Sequence, residues 1–227
     1  MKITILGFSH LGFVAAACAA RHFQVVSLDF DEAVLDRLRA AQTPHLEPGL
    51  EDLIAEGLES RRLTYTTNII LGCLDADVLW VAWDPPVNEE ASTLDRVRQI
   101  LPNLAPGTLV LISSPVPVRS CAELRAQFPQ FHFACSPWKL PRGRAIEAFE
   151  QLEDVVVGIG DDSKKEVLER LFDPFTERIT FVRTESAEMV NLALNAVAIA
   201  SMPFIEQITD AAAATAGLAR NSRSKPR

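Results

Sequence analysis

The chain has 227 residues, 48% of them hydrophobic, enough to bury a sizeable core in one large domain or one domain plus a further segment. Acidic residues number 30 against 22 basic ones, a net charge of −8, which excludes nucleic acid as a bulk partner because such a surface repels phosphates. No apolar run reaches the roughly 18 to 20 residues of a membrane span, so no membrane partner is expected.

The first element is the most informative. Lys2 to Leu6 reads as a buried strand, Gly7-Phe8-Ser9-His10-Leu11-Gly12 as a tight turn, and Leu11 to Ala20 as a helix whose amino end faces that turn. A second strand, Val25 to Asp29, ends in a carboxylate. This is the pattern of a dinucleotide site. The first glycine permits the sharp strand-to-helix turn, the helix amino terminus offers N–H groups to a pyrophosphate, and Gly12 lets helix and strand pack closely. Asp29 stands where an acid accepts hydrogen bonds from the adenosine ribose, which favours NAD over NADP. Ser9 replaces the middle glycine of G-x-G-x-x-G and hinders, without abolishing, close approach of a phosphate. His10 opens the helix as a surface or helix-packing histidine. The competing reading is a strand and turn that hold no cofactor.

Further along, strands are expected at Leu63 to Thr66, Val78 to Ala82, Thr108 to Ile112, His132 to Cys135, Val155 to Gly158 and Ile179 to Val182. Helices are expected at Glu32 to Ala40, Leu50 to Glu56, Thr93 to Leu101, Ser120 to Gln127, Lys164 to Leu171 and from Ser186 onward. Apolar strand runs alternating with helical periodicity predict an α/β fold, a Rossmann-like, doubly wound, mostly parallel sheet followed by a long C-terminal helix. The expected division is 1–184 for the dinucleotide domain, 185–219 for the long helix and 220–227 for a disordered basic tail carrying Arg220, Arg223, Lys225 and Arg227. The apolar stripe of the 186–216 helix predicts pairing with another chain, most simply a homodimer.

Several side chains invite a role. Trp80 and Trp83 flank the end of a strand facing the crevice, where core packing is the ordinary reading. Asp84 adds negative charge beside the expected pyrophosphate. Glu47-Pro48-Gly49-Leu50 reads as a structural helix start. Lys139, Arg142 and Arg144 form a basic knot that could grip a diphosphate or pair with Glu147 and Glu150. Ser113, Ser114 and Ser136 show no hydrolase arrangement. Cys18, Cys73, Cys121 and Cys135 read as reduced, packed thiols, and His22, His45 and His132 have no metal spacing, so no metal is expected. With a strand at the very start, no secretory leader is expected, and the cytoplasm is the expected location.

Taken in order, the Gly7 to Gly12 turn, Leu28-Asp29-Phe30-Asp31, Leu46-Glu47-Pro48-Gly49-Leu50, Ser114-Pro115-Val116-Pro117-Val118, the spaced Pro137, Leu140 and Gly143, and Ser186-Ala187-Glu188-Met189 with Asn195 resemble the amino-terminal half of the UDP-glucose/GDP-mannose dehydrogenase family. The resemblance implies NAD as cofactor, oxidation of a nucleotide-sugar alcohol to the acid, a place in polysaccharide precursor metabolism, and dimerisation through the long helix. It also implies losses. The family's Thr in S-T-V-P-V falls on Pro115, its catalytic Glu in N-P-E-F-L on Trp138, and its Lys in S-A-E-M-x-K on Asn191, while the Asn one turn later is kept as Asn195. The family's cysteine nucleophile belongs to a following domain, which this sequence is expected not to reach. The substrate-side residues implied are Lys139, Arg142, Asn191 and Asn195, with no catalytic residue assigned beyond the retained Asn195. The expectation is an NAD-binding, catalytically impaired relative, with a full-length dehydrogenase paralogue as a second candidate partner. An active oxidoreductase with an altered substrate and a cofactor-free interaction or regulatory subunit stay open.

Overall fold

A computed structural model describes residues 1–39, 42–43, 46–85 and 90–215. His45 and the basic tail fall outside the described residues.

Eight strands form one sheet: β1 (Lys2–Leu6), β2 (Gln24–Leu28), β3 (Leu63–Thr66), β4 (Val78–Val81), β5 (Leu109–Ile112), β6 (His132–Cys135), β7 (Val155–Ile159) and β8 (Ile179–Arg183). Their spatial order is β3-β2-β1-β4-β5-β6-β7-β8. Neighbours run parallel except β6 and β7, which are antiparallel, so β7 and β8 are reversed against the rest. The chain reverses direction of travel between β3 and β4, and β1 and β4 meet side by side, Ile3 opposite Val78 through Leu6 opposite Val81. Ligand crevices in open α/β sheets lie outside the carboxyl ends of strands at such a switch point.

The central strands are apolar throughout because both faces are covered. Val78–Val81 and Leu109–Ile112 are buried at every position. Nine helices are described: α1 (His10–Ala20), α2 (Glu32–Arg39), α3 (Leu50–Glu59), α4 (Ile69–Cys73), α5 (Glu90–Ile100), α6 (Ser120–Gln127), α7 (Ala145–Glu150), α8 (Lys165–Phe172) and α9 (Thr184–Thr215). Every residue of α1 is buried, since it lies between the sheet, α3 and α7. Its run of alanines provides the small surface such close packing needs, and a helix apolar all round belongs in a core.

All eight expected strands form, within one residue at most ends. Two short helices were not expected. Ile69–Cys73 follows Asn68, whose side chain accepts the Leu71 N–H at 3.1 Å and so caps a turn that the apolar run alone does not announce. Ala145–Glu150 follows the basic knot, and its Phe149 enters an aromatic cluster with Trp80, Trp138 and Phe175. On α9, Ala187 and Glu188 are fully buried, whereas Met189, Leu192, Val197, Phe204, Ile205 and Ile208 are exposed. Among the described residues no helix is long and apolar enough to cross a membrane.

Candidate dinucleotide site

The turn after β1 is built around two glycines. Gly7 has φ +129°, a region L side chains rarely adopt, and an added Cβ would lie 2.7 Å from the Trp83 Cα and 2.9 Å from the Ala82 carbonyl oxygen. At Gly12 a Cβ would fall within bonding range of the Gly7 carbonyl oxygen. Backbone therefore meets backbone where β1, β4 and α1 converge, and the amino end of α1 is drawn up to the carboxyl edge of the sheet.

Ser9 is the N-cap of α1. Its hydroxyl accepts the Gly12 N–H at 3.2 Å and donates to the Ala82 carbonyl at 2.7 Å, so it is turned away from the crevice. Serine here satisfies one orphan N–H of the helix start that a glycine would leave open. Among the described residues no acceptor faces the Leu11 N–H. A glycine cradle without room for a Cβ, a helix amino end beside it and a carboxylate closing β2 fit the pyrophosphate and ribose of a dinucleotide.

Asp29 is 4% exposed. It accepts the Phe8 N–H at 2.6 Å on one oxygen, and the Phe30 N–H at 2.6 Å and Arg96 Nη1 at 2.8 Å on the other. The acceptor expected to stand open to a ribose is thus already engaged. Arg96, from α5, did not figure among the expected site residues. Nothing in its local sequence distinguishes it from a surface arginine, because its partners arrive from β2 and the segment after β4.

Of the two states expected for His10, surface or helix-packing, the structure shows the packed one: it is buried, and its Nε2 lies 3.0 Å from Glu47 Oε2. Glu47 also accepts the Gly143 N–H at 2.8 Å and the Ala145 N–H at 2.7 Å. One carboxylate therefore staples α1, the segment before α3 and the start of α7. Burial pushes the Glu47 carboxyl up, but the His10 contact and the two backbone N–H groups outweigh it and hold it below the usual carboxylate range. A carboxyl with a lowered pKa in the folded state stabilises above its unfolded pKa and loses that contribution as pH falls through the folded value. Urea midpoints recorded from pH 7 down to pH 3 should therefore fall for the native chain, and Glu47→Gln should start lower at neutral pH with a flatter acid limb.

Beside this staple a cavity of about 190 Å³ gathers His10, Leu11, Asp84, Pro115, Trp138, Lys139 and Arg142. The expected site residues that are distant in sequence are here brought together. Trp138 is turned into the core: its N–H donates to Ser136 Oγ at 2.9 Å and its rings sit 5.8 Å from Trp80 and Phe172 and 4.9 Å from Phe149. Trp80 is fully buried, its N–H donating to Ser113 Oγ at 2.8 Å. The basic knot separates: Arg144 pairs with Glu147 at 3.0 Å, but Glu150 faces the other way, to Arg21 at 2.5 Å, because α7 presents its end to α1. Asn191 and Asn195 belong to α9, and their side chains lie outside the described residues.

All four cysteines are free and buried. Burial pushes the Cys18 thiol up to about 12 and Cys73 to about 11. Cys121 is held well above its ordinary value by its hydrogen bond with Cys135 and by burial.

Fold and cradle together define a Rossmann-type dinucleotide-binding domain. The sequence profile of the UDP-glucose/GDP-mannose dehydrogenase family, NAD binding domain, matches residues 1–176, and the chain belongs to that family. It is 28% identical over 235 residues to a UDP-glucose 6-dehydrogenase of Pseudomonas aeruginosa, covering 95% of this chain and 52% of the relative. A GDP-mannose 6-dehydrogenase of the same organism is 26% identical, with 94% and 53% covered. The crystal structure of a ternary complex of GDP-mannose dehydrogenase from P. aeruginosa superposes with a TM-score of 0.81 at 23% identity, over 92% of this chain and 52% of that one. A UDP-glucose dehydrogenase from Pyrobaculum islandicum gives 0.75 at 25% identity, over 86% and 49%. The chain spans about half the length of these relatives.

Proposed function

We propose that this domain binds NAD across the carboxyl ends of β1, β2 and β4, and that the residues of this chain do not by themselves oxidise a nucleotide sugar. Gly7, Phe8, Ser9, His10, Leu11 and Gly12 meet the pyrophosphate, Asp29 meets the adenosine ribose, and Asp84 stands at the rim. The observation that carries the cofactor half is the Gly7–Gly12 contact, which leaves space for backbone only and aims the amino end of α1 at the crevice.

NAD, when bound, supplies the hydride acceptor. What an alcohol oxidation needs from protein is a base for the hydroxyl proton and, for passage to the acid, a nucleophile. At the position matching the family's Glu stands Trp138, packed among aromatic rings, and at that of its Thr stands Pro115, which has neither hydroxyl nor N–H. Cys18, Cys73 and Cys121 are protonated at neutral pH. Lys139 and Arg142 line the cavity and bring positive charge to the diphosphate of a nucleotide sugar, and Asn191 and Asn195 are assigned to the substrate by their place in the family motif alone. This reading makes the chain a cofactor-bearing relative in polysaccharide precursor supply, in the cytoplasm.

Calorimetric titration with NAD and a coupled assay with UDP-glucose test the two halves separately. Saturable NAD binding with no NADH production is expected; absence of binding removes the first half, and steady turnover removes the second. The long helix is read as the element through which two copies associate, because Leu192, Val197, Phe204 and Ile208 are exposed along α9; of the expected span 185–219, residues 216–219 lie outside the described residues. Light scattering at micromolar concentration should give twice the chain mass, and a monomer would discard this association.

A further inference from the structure

The adenosine end of the crevice is spanned by a side chain of the protein itself. Arg96 projects from α5, which follows β4 in the chain, yet its Nη1 reaches Asp29, the residue after β2, and β2 lies across β1 from β4. On the way its guanidinium lies 4.0 Å from the centre of the Trp83 ring and 5.2 Å from that of Phe30. Trp83 in turn abuts Gly7. Since β1 stands between β2 and β4, the arginine crosses above the carboxyl end of β1, the path a dinucleotide takes through a cradle of this kind.

Acceptor capacity makes this consequential. A carboxylate offers about four acceptor positions. Asp29 has given one to Phe8, one to Phe30 and one to Arg96, and a ribose donating both its 2′ and 3′ hydroxyls requires two. The backbone N–H groups cannot leave without undoing the turn, whereas the arginine can rotate away. Charge acts in the same direction. An unpaired aspartate repels a 2′-phosphate, but an aspartate paired to a guanidinium presents almost no net charge, and the guanidinium is itself a fork suited to phosphate.

We infer that Arg96 sets which dinucleotide this site prefers: it competes with the ribose diol for Asp29, weakening NAD, and it offers a 2′-phosphate a partner, admitting NADP. The inference rests on the cofactor reading above and adds a specificity-determining residue to it. A 2′-hydroxyl must displace the arginine; a 2′-phosphate keeps it.

The test compares the native chain with Arg96→Met and Arg96→Lys by calorimetry with NAD, NADP and AMP, with tryptophan emission as a second readout because Trp83 lies under the guanidinium. Circular dichroism establishes that each variant is folded. Arg96→Met should bind NAD about tenfold tighter and NADP about tenfold weaker, a hundredfold swing in their ratio. Arg96→Lys, which keeps charge but loses the fork, should fall between. NAD binding to the native chain should shift tryptophan emission in the direction that Arg96→Met does without ligand. If Arg96→Met binds NAD no better than the native chain while both bind it, the inference fails and the cofactor reading stands. If neither protein binds NAD, NADP or AMP, both fail together.

Discussion

Gly12→Ala should unseat the first helix. The new methyl group would sit against the Gly7 carbonyl oxygen and 3.0 Å from that of Ala82, both main-chain atoms held in the sheet edge, so neither can step aside as a flexible side chain would. Relief requires moving α1 away from β1, and α1 is buried along its whole length between the sheet, α3 and α7. Overpacking of this kind costs about 3 kcal/mol, which for a chain of this size lowers the melting temperature by roughly 6 to 12 °C. NAD affinity should fall with it, because the helix amino end would no longer meet the crevice. Thermal melts and calorimetry read the two effects; a variant with native melting and native NAD affinity would mean that the cradle is not as tight as its geometry.

The second large effect is expected at Glu188→Ala, at the start of α9. Glu188 is fully buried, and its two oxygens accept the Arg119 N–H at 2.6 Å and the Cys121 N–H at 2.8 Å. These are amide groups at the start of α6, whose preceding residue Arg119 sits at φ 79° and offers no side-chain cap of its own. A carboxylate at a helix amino terminus also opposes the positive end of the helix dipole. Alanine would leave the buried Cys121 N–H without an acceptor, at a cost of about 1 to 3 kcal/mol, and the part-buried Arg119 N–H to water, while Glu188→Gln, which keeps one acceptor, should lose roughly half as much. Hydrogen exchange adds a local readout: protection should drop first in α6 and at the start of α9. Equal stability of Glu188→Ala and the native chain in urea would show that water substitutes for the carboxylate.

The sequence made legible what depends on local pattern. The strands announce themselves because continuous apolar runs are what a sheet covered on both faces requires, and the Gly7 to Gly12 turn because its geometry tolerates few other residues. Hidden were the pairings made by folding. Glu47 looked like part of a helix start, yet its role comes from Gly143 and Ala145, nearly a hundred residues onward. Arg96 was anonymous on α5 until β2 and the segment after β4 came beside it. Asp84 and Lys139 shared only a presumed neighbourhood, which became a cavity wall through the packing of Trp138. Helices α4 and α7, of five and six residues, are too short for a 3.6-residue period to show.

The antiparallel join between β6 and β7 has a mechanical consequence. Because β7 and β8 run against the other strands, α9 leaves β8 beside the body of β6 and travels back along it, which brings Val190 into the wall of a cavity shared with Ser136, Trp138 and Lys139. Glu188 anchors the helix two residues earlier. The first turns of the helix are thus held between two neighbours, the start of α6 through Glu188 and the cavity wall beside Lys139 through Val190.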